Sequence, residues 1–266
     1  MTALISRILV GVIGLPVVLG AVWVGGWYLF ALAAIAGMIA VHEFVTMARP
    51  LRPLAPAVYI GVLLALLGAH ASIEWMLGGT LLTFLLAFVL NAIAKTRAPS
   101  TVAIAATVLG AAWIGLGLGH IVLLRELHEK PRLLAFTVLI TVWVADTFAY
   151  FAGRLIGRHK LAPSLSPGKT WEGFVVGSLA GVFASFVALY DTRNTYLTSR
   201  QAVVLGLVVV LAAAAGDLFE SMLKRDMEVK DTGRLLGGHG GVLDRIDSLL
   251  FAGVAAFYLV AAFGYA

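Results

Sequence analysis

The chain has 266 residues, 61% of them hydrophobic and 12% charged, with a mean hydropathy of +0.99. Soluble globular chains carry about 25% charged residues, so this composition excludes a soluble fold and makes the bilayer the solvent for most of the sequence. The formal charge of +5 is assigned to cytoplasmic loops beside anionic headgroups, because no soluble domain is left to hold a nucleic-acid fold and no nucleic acid is expected as a partner. With no cysteine, disulfides and thiolate metal sites are excluded as well.

A membrane-spanning helix needs about 20 apolar residues. The chain offers nine such runs, at 5–24, 27–47, 54–70, 75–94, 101–124, 133–151, 173–190, 202–218 and 246–265. The first begins near Arg7 and has the flavour of a signal peptide. No small-residue cleavage site separates it from the second run, so it is read as the first span. Gly25–Gly26 forms a tight turn between the first two runs. The third run is short. Gly115, Gly117 and Gly119 suit close helix packing in lipid, and Trp23, Trp27, Trp75 and Trp171 sit near span ends as interfacial anchors. The expected fold class is all-α: a polytopic integral membrane protein of about nine transmembrane helices, reading as one membrane domain over 1–266. Residues 1–130 supply N-terminal helices and 131–266 the helices that carry chemistry.

Nine spans sort the basic residues unevenly. Of the 19 Lys and Arg, 14 fall on the side of Arg7 and five on the other, namely Arg125, Lys130, Arg132, Arg193 and Arg200. The positive-inside rule then puts the N-terminus in the cytoplasm. Both long charged loops, 153–172 and 218–245, fall on the same face, where nucleotides are available.

Residues 215–248 concentrate the chemistry. Asp217, Ser221 and Lys224 are spaced i, i+4, i+7 and share a helix face, and an aspartate at the end of a membrane span is a functional candidate. Lys224, Arg225, Lys230 and Arg234 are followed by Gly237, Gly238, Gly240 and Gly241 around His239. Glycines let backbone N–H groups approach an anion and cations neutralise it, so the stretch reads as a phosphate cradle. Asp244 and Asp247, three residues apart at the start of the last helix, can face one point. Carboxylates beside phosphates point to Mg²⁺, with Asp217, Asp244 and Asp247 as its ligands.

The loop at 153–172 adds Arg154, Arg158, His159 and Lys160, with Asp146 inside the preceding span. Gly168-Lys169-Thr170 is reminiscent of a P-loop, but Pro163 occupies the position of that motif's first glycine and no strand precedes it. Ser166, Lys169 and Thr170 remain candidate phosphate contacts on a loop that Pro163 and Pro167 keep non-helical. His42-Glu43, at the cytoplasmic end of the second span, is divided evenly between a substrate contact and a plain helix terminus. Charges gathered at span ends, without an internal repeat, argue against a transporter.

The run Ser221-x-Leu223-Lys224-Arg225, Lys230-Asp231-x-Gly233, Leu236-Gly237-x-His239-Gly240-Gly241-x-x-Asp244-Arg245-x-Asp247 resembles the signature of the phosphatidate cytidylyltransferases, also called CDP-diacylglycerol synthases. Ser166-Pro167-x-Lys169-Thr170-Trp171-Glu172-Gly173 is similar to a second motif of that family. The resemblance implies a Mg²⁺-dependent enzyme that converts CTP and phosphatidic acid to CDP-diacylglycerol and pyrophosphate for phospholipid biosynthesis. It implies a multi-pass protein of the inner or plasma membrane, in contact with membrane lipid, forming a homodimer, with its active site facing the cytoplasm. Together with the reading of residues 215–248, the expected catalytic set is Asp217, Ser221, Lys224, Arg225, Asp244 and Asp247. Substrate binding then falls to Asp146, Ser166, Lys169, Thr170, Lys230, Asp231, His239, Gly240, Gly241 and Arg245.

Overall fold

The computed structural model of the chain describes residues 3–94, 100–233, 235 and 240–265, with side chains from residue 12 onward. Among them nine α-helices follow one another: α1 (Ala3–Val24), α2 (Gly26–Met47), α3 (Ala55–Ala71), α4 (Ile73–Ala94), α5 (Ser100–Glu126), α6 (Pro131–Ile156), α7 (Trp171–Leu189), α8 (Ser199–Asp226) and α9 (Leu243–Ala262). Each overlaps most of one of the nine apolar runs. Seven, α2 and α4 to α9, are long and apolar enough to cross a membrane; Val12–Val24 of α1 and all of α3 are shorter apolar helices. Trp23, Trp27, Trp75 and Trp171 are all exposed.

Helix ends depart from the apolar runs where polar residues continue the helical pattern. Helix α8 extends through the charged stretch to Asp226, helped by the pairing of Glu220 with Lys224 one turn later. The expected non-helical loop after α6 is a two-stranded antiparallel hairpin, β1 (Lys160–Ala162) and β2 (Ser166–Thr170), pairing Lys160 with Thr170 and Ala162 with Ser166. The Gly-Lys-Thr residues lie in a strand themselves, an arrangement unlike a P-loop.

The chain divides into two compact units. One comprises Met1–Glu126 with Asp226–Ile246; the other comprises Leu127–Arg225 with Asp247–Ala266. In the first, the turn between α1 and α2 needs glycine at Gly25, where φ is +73°. Arg125, at the end of α5, donates to the carbonyl oxygens of Val22 (2.9 Å), Trp23 (3.1 Å) and Val24 (3.2 Å). A guanidinium thus satisfies the C-terminal carbonyls of α1, which have no partners within the helix. Gly115 and Gly119 of α5 let α3 and Met76 of α4 approach: added Cβ atoms would lie 3.1 Å from Ala65 Cβ and 2.6 Å from Met76 Sδ.

In the second unit α7 packs on α6 through a glycine stripe. Added Cβ atoms at Gly173, Gly177 and Gly181 would lie 2.6, 2.5 and 3.0 Å from the carbonyl oxygens of Ala149, Ala145 and Thr141. Spacing by four puts all three on one helix face, and only hydrogen fits there. The close approach carries the hairpin ahead of α7 onto the end of α6, where Thr170 lies against Gly153 and Gly157.

Candidate active site

The hairpin is held rigid before α7 begins. Thr170 is the N-cap of α7, its hydroxyl oxygen accepting from Gly173 N at 3.1 Å. Glu172 turns back and accepts from the backbone N–H groups of Arg158 (3.1 Å) and His159 (3.2 Å), with His159 Nδ1 2.6 Å away. The strand between these fixed points presents Lys169, whose Nζ lies 2.6 Å from Asp217 Oδ2 on α8. Arg225 Nε donates to the Leu165 carbonyl at 3.1 Å. Two sequence motifs about fifty residues apart therefore meet in one unit.

Around that meeting point α8 and α9 add carboxyls. Asp247 is 7% exposed and interacts with Asp217 and Glu220, with a hydrogen bond to the latter. Glu220, 1% exposed, receives Lys224 Nζ at 2.5 Å, and Ser221 is buried beside it on α8. Gly216 allows the two helices this close: a Cβ there would lie 2.6 Å from the Asp247 carbonyl oxygen. Ser166 is half-buried in β2, and Asp146 is an exposed position of α6.

The segment 226–246 belongs to the first unit. Asp244 orders it, accepting from Thr232 N at 3.1 Å and Gly241 N at 2.7 Å. Gly240 has φ +78°, and a Cβ there would lie 2.6 Å from Asp244 Oδ2. Lys230 and Asp231 are exposed and line a cavity of about 1010 Å³ with Met38, His42, Glu43 and Tyr59. Arg245 is exposed in the first turn of α9. His239, with Arg234, Gly237 and Gly238, lies outside the described residues.

Two acidic residues matter here that the motif did not supply. Glu220 carries a sequence signal, since it stands four residues before Lys224. Glu43, 4% exposed near the end of α2, accepts from Val242 N (2.9 Å) and Leu243 N (2.8 Å). Those two bonds go beyond a plain helix terminus, and Glu43 with His42 also lines the cavity.

Among the described residues no three acidic or imidazole groups form a ready metal cage. Mg²⁺ needs less, since it is bound through one or two carboxylates plus water and substrate phosphates. Asp217 and Asp247 fit that demand. Their donors are hard oxygens, and neighbouring carboxyls repel unless a proton or a cation lies between them. Asp244, expected as a third ligand, accepts from the backbone N–H groups of Thr232 and Gly241 within the first unit.

The chain is similar along nearly its whole length to known enzymes. It is 35% identical over 258 residues to a phosphatidate cytidylyltransferase of Pseudomonas aeruginosa, covering 93% of each chain. It is 33% identical over 253 residues to one of Staphylococcus haemolyticus, covering 92% of this chain and 94% of the relative. A third, from Haemophilus influenzae, is 47% identical over 118 residues, 43% of this chain and 41% of that one. The model of the cytidylyltransferase family matches residues 5–263. The chain belongs to the cytidylyltransferase family.

Proposed function

We propose that the chain is a phosphatidate cytidylyltransferase, joining CTP and phosphatidic acid into CDP-diacylglycerol with release of pyrophosphate. The observation that carries the reading is the contact of Lys169, from one family motif, with Asp217, which in turn interacts with Asp247 of the other. An oxygen of the phosphatidate phosphate attacks the α-phosphorus of CTP. The bond from that phosphorus to the bridging oxygen breaks, and pyrophosphate departs. A phosphomonoester is largely ionised at neutral pH, its second pKa being about 6, so no strong general base is required. Catalysis is positioning and charge neutralisation, supplied by Lys169, Lys224 and Arg225. Asp217 and Asp247 would hold Mg²⁺, which offsets phosphate charge when bound. Asp244 shapes the loop that carries Lys230, Asp231, His239 and Arg245.

The proposal extends to topology. Nine spans with the N-terminus in the cytoplasm place both charged segments where CTP is available, in the plasma membrane of a homodimeric protein. Phosphatidate then enters sideways from the leaflet. The deciding experiment incubates purified protein with cytidine-labelled CTP and phosphatidic acid in detergent. A lipid-soluble labelled product with stoichiometric pyrophosphate is expected. Release of CDP with phosphorylation of an alcohol would overturn the reading in favour of a CTP-dependent lipid kinase.

A further inference from the structure

We infer that Glu43 is a positioning residue that holds the two described limbs of the signature loop, at 232–233 and 241–243, in the arrangement that binds nucleotide. Glu43 is 200 residues from the start of α9, on a helix outside both family motifs, yet it supplies what that helix start lacks. The first N–H groups of a helix have no partner within it. At α9 the Glu43 oxygens accept two of these donors: Oε1 from Val242 N at 2.9 Å and Oε2 from Leu243 N at 2.8 Å. Thr232 Oγ1 lies 3.5 Å from Oε2, so the carboxylate touches the loop on its other limb as well. A carboxylate at a helix N-terminus also meets the positive end of the dipole.

Two glycines of the loop, Gly233 and Gly241, lie against this side chain. A Cβ at Gly233 would lie 2.5 Å from Glu43 Oε1, 2.8 Å from Cδ and 2.9 Å from Cγ. At Gly241 it would lie 2.5 Å from Glu43 Oε2 and 2.5 Å from Thr232 Oγ1. Backbone thus closes on the carboxylate from two sides, and a buried charge this costly is retained when its hydrogen bonds are made. Asp244 braces the loop from within through Thr232 N and Gly241 N, while Glu43 braces it from the N-terminal helices.

The consequence for function rests on reading this loop as a nucleotide-handling segment. When only a fraction of molecules holds the competent loop, apparent affinity falls by that fraction, while saturating substrate restores the rest. Loss of Glu43 should therefore raise KM for CTP by about 10- to 100-fold, the range of one hydrogen bond to a charged group, with kcat little changed. Loss of folded protein acts oppositely, lowering kcat at constant KM.

The test compares Glu43→Ala and Glu43→Gln with wild type by steady-state kinetics and by hydrogen exchange of the Val242 and Leu243 amides. Both variants should raise KM for CTP and lose protection at those amides. Glu43→Gln fills the same volume but turns a donor towards an N–H, so its failure to rescue separates hydrogen bonding from packing. A wild-type KM in either variant, or a fall in kcat alone, would overturn the inference. Should Glu43→Ala not fold, Gly233→Ala displaces the carboxylate while keeping it in the chain, and the same KM rise is expected. If wild type makes no cytidine-labelled lipid, the enzymatic reading has failed; unchanged exchange in Glu43→Ala would mean that the positioning role has failed.

Discussion

Replacing Gly216 by alanine adds one methyl group where α8 meets α9. That methyl would lie 2.6 Å from the Asp247 carbonyl oxygen and 3.2 Å from Phe251 Cβ, so it falls about 0.8 Å short of ordinary contact, which begins at 3.4 Å. The obstacle is backbone, so no side chain can swing aside; the two helices must part by a similar amount. Stability should change little. Overpacking costs about 1–3 kcal/mol, and alanine returns about 1 kcal/mol of helix propensity over glycine. Catalysis is more exacting, because a displacement of about 1 Å can cost on the order of 10²-fold, and the displaced groups are Asp217 beside the methyl and Asp247 opposite it. Pyrophosphate release from CTP and phosphatidic acid should fall by about 30- to 100-fold, with the unfolding midpoint in detergent moved by only a few degrees. Gly78→Ala in α4 is the control, since nothing lies within 4 Å of a Cβ there. Retention of more than half the activity by Gly216→Ala, or an equal loss in Gly78→Ala, would refute the reasoning.

Lys169→Met removes the partner of Asp217 at 2.6 Å, in a pair whose side chains are 25% and 34% exposed. A hydrogen bond between charged groups contributes about 1.5–3 kcal/mol, so kcat/KM should drop by about 10- to 100-fold in the same assay. Thr170→Val deletes the N-cap of α7 and should cost about 1 kcal/mol in thermal unfolding, with a smaller effect on turnover. Dialysis against a chelator should abolish product formation and Mg²⁺ should restore it; titration calorimetry on Asp217→Asn should show weaker Mg²⁺ binding.

Helix positions were legible because apolar run length is a strong signal in a membrane protein, and even short α3 stands where its run predicts. The hairpin at 160–170 was not. Three- and five-residue strands are too short for alternation to register, and Pro163 and Pro167 read only as breaks. The motif residues were legible as a set, but their partners were not. That Lys169 reaches Asp217 depends on the glycine stripe of α7, whose spacing shows small residues and not the helix they meet. Glu43 was hidden for a related reason. One acidic residue near a span end looks the same whether it meets water or the amides of a helix 200 residues away. Asp244 was visible as an acid at a helix start, but its bonds to the amides of Thr232 and Gly241 were not, because they depend on how the described limbs of the loop approach one another.

The positions of the lysines bear on the central difficulty of the reaction, which joins two anions at one phosphorus. Free lysine side chains would each lose about 1.5–2 kcal/mol of rotamer freedom when they close on a phosphate. Here Lys169 and Lys224 are already drawn to one face of α8 by Asp217 and Glu220, on the side where Asp247 lies. In the proposed reaction, arriving phosphates would therefore meet cations that are already ordered. On the same proposal, the carboxylates that hold them would keep the site from being so basic that pyrophosphate stays bound. A site made only of lysines and arginines would attract both substrates and retain the product; one that alternates carboxylate and ammonium along a helix face would let phosphate exchange partners with carboxylate and so release what it has made.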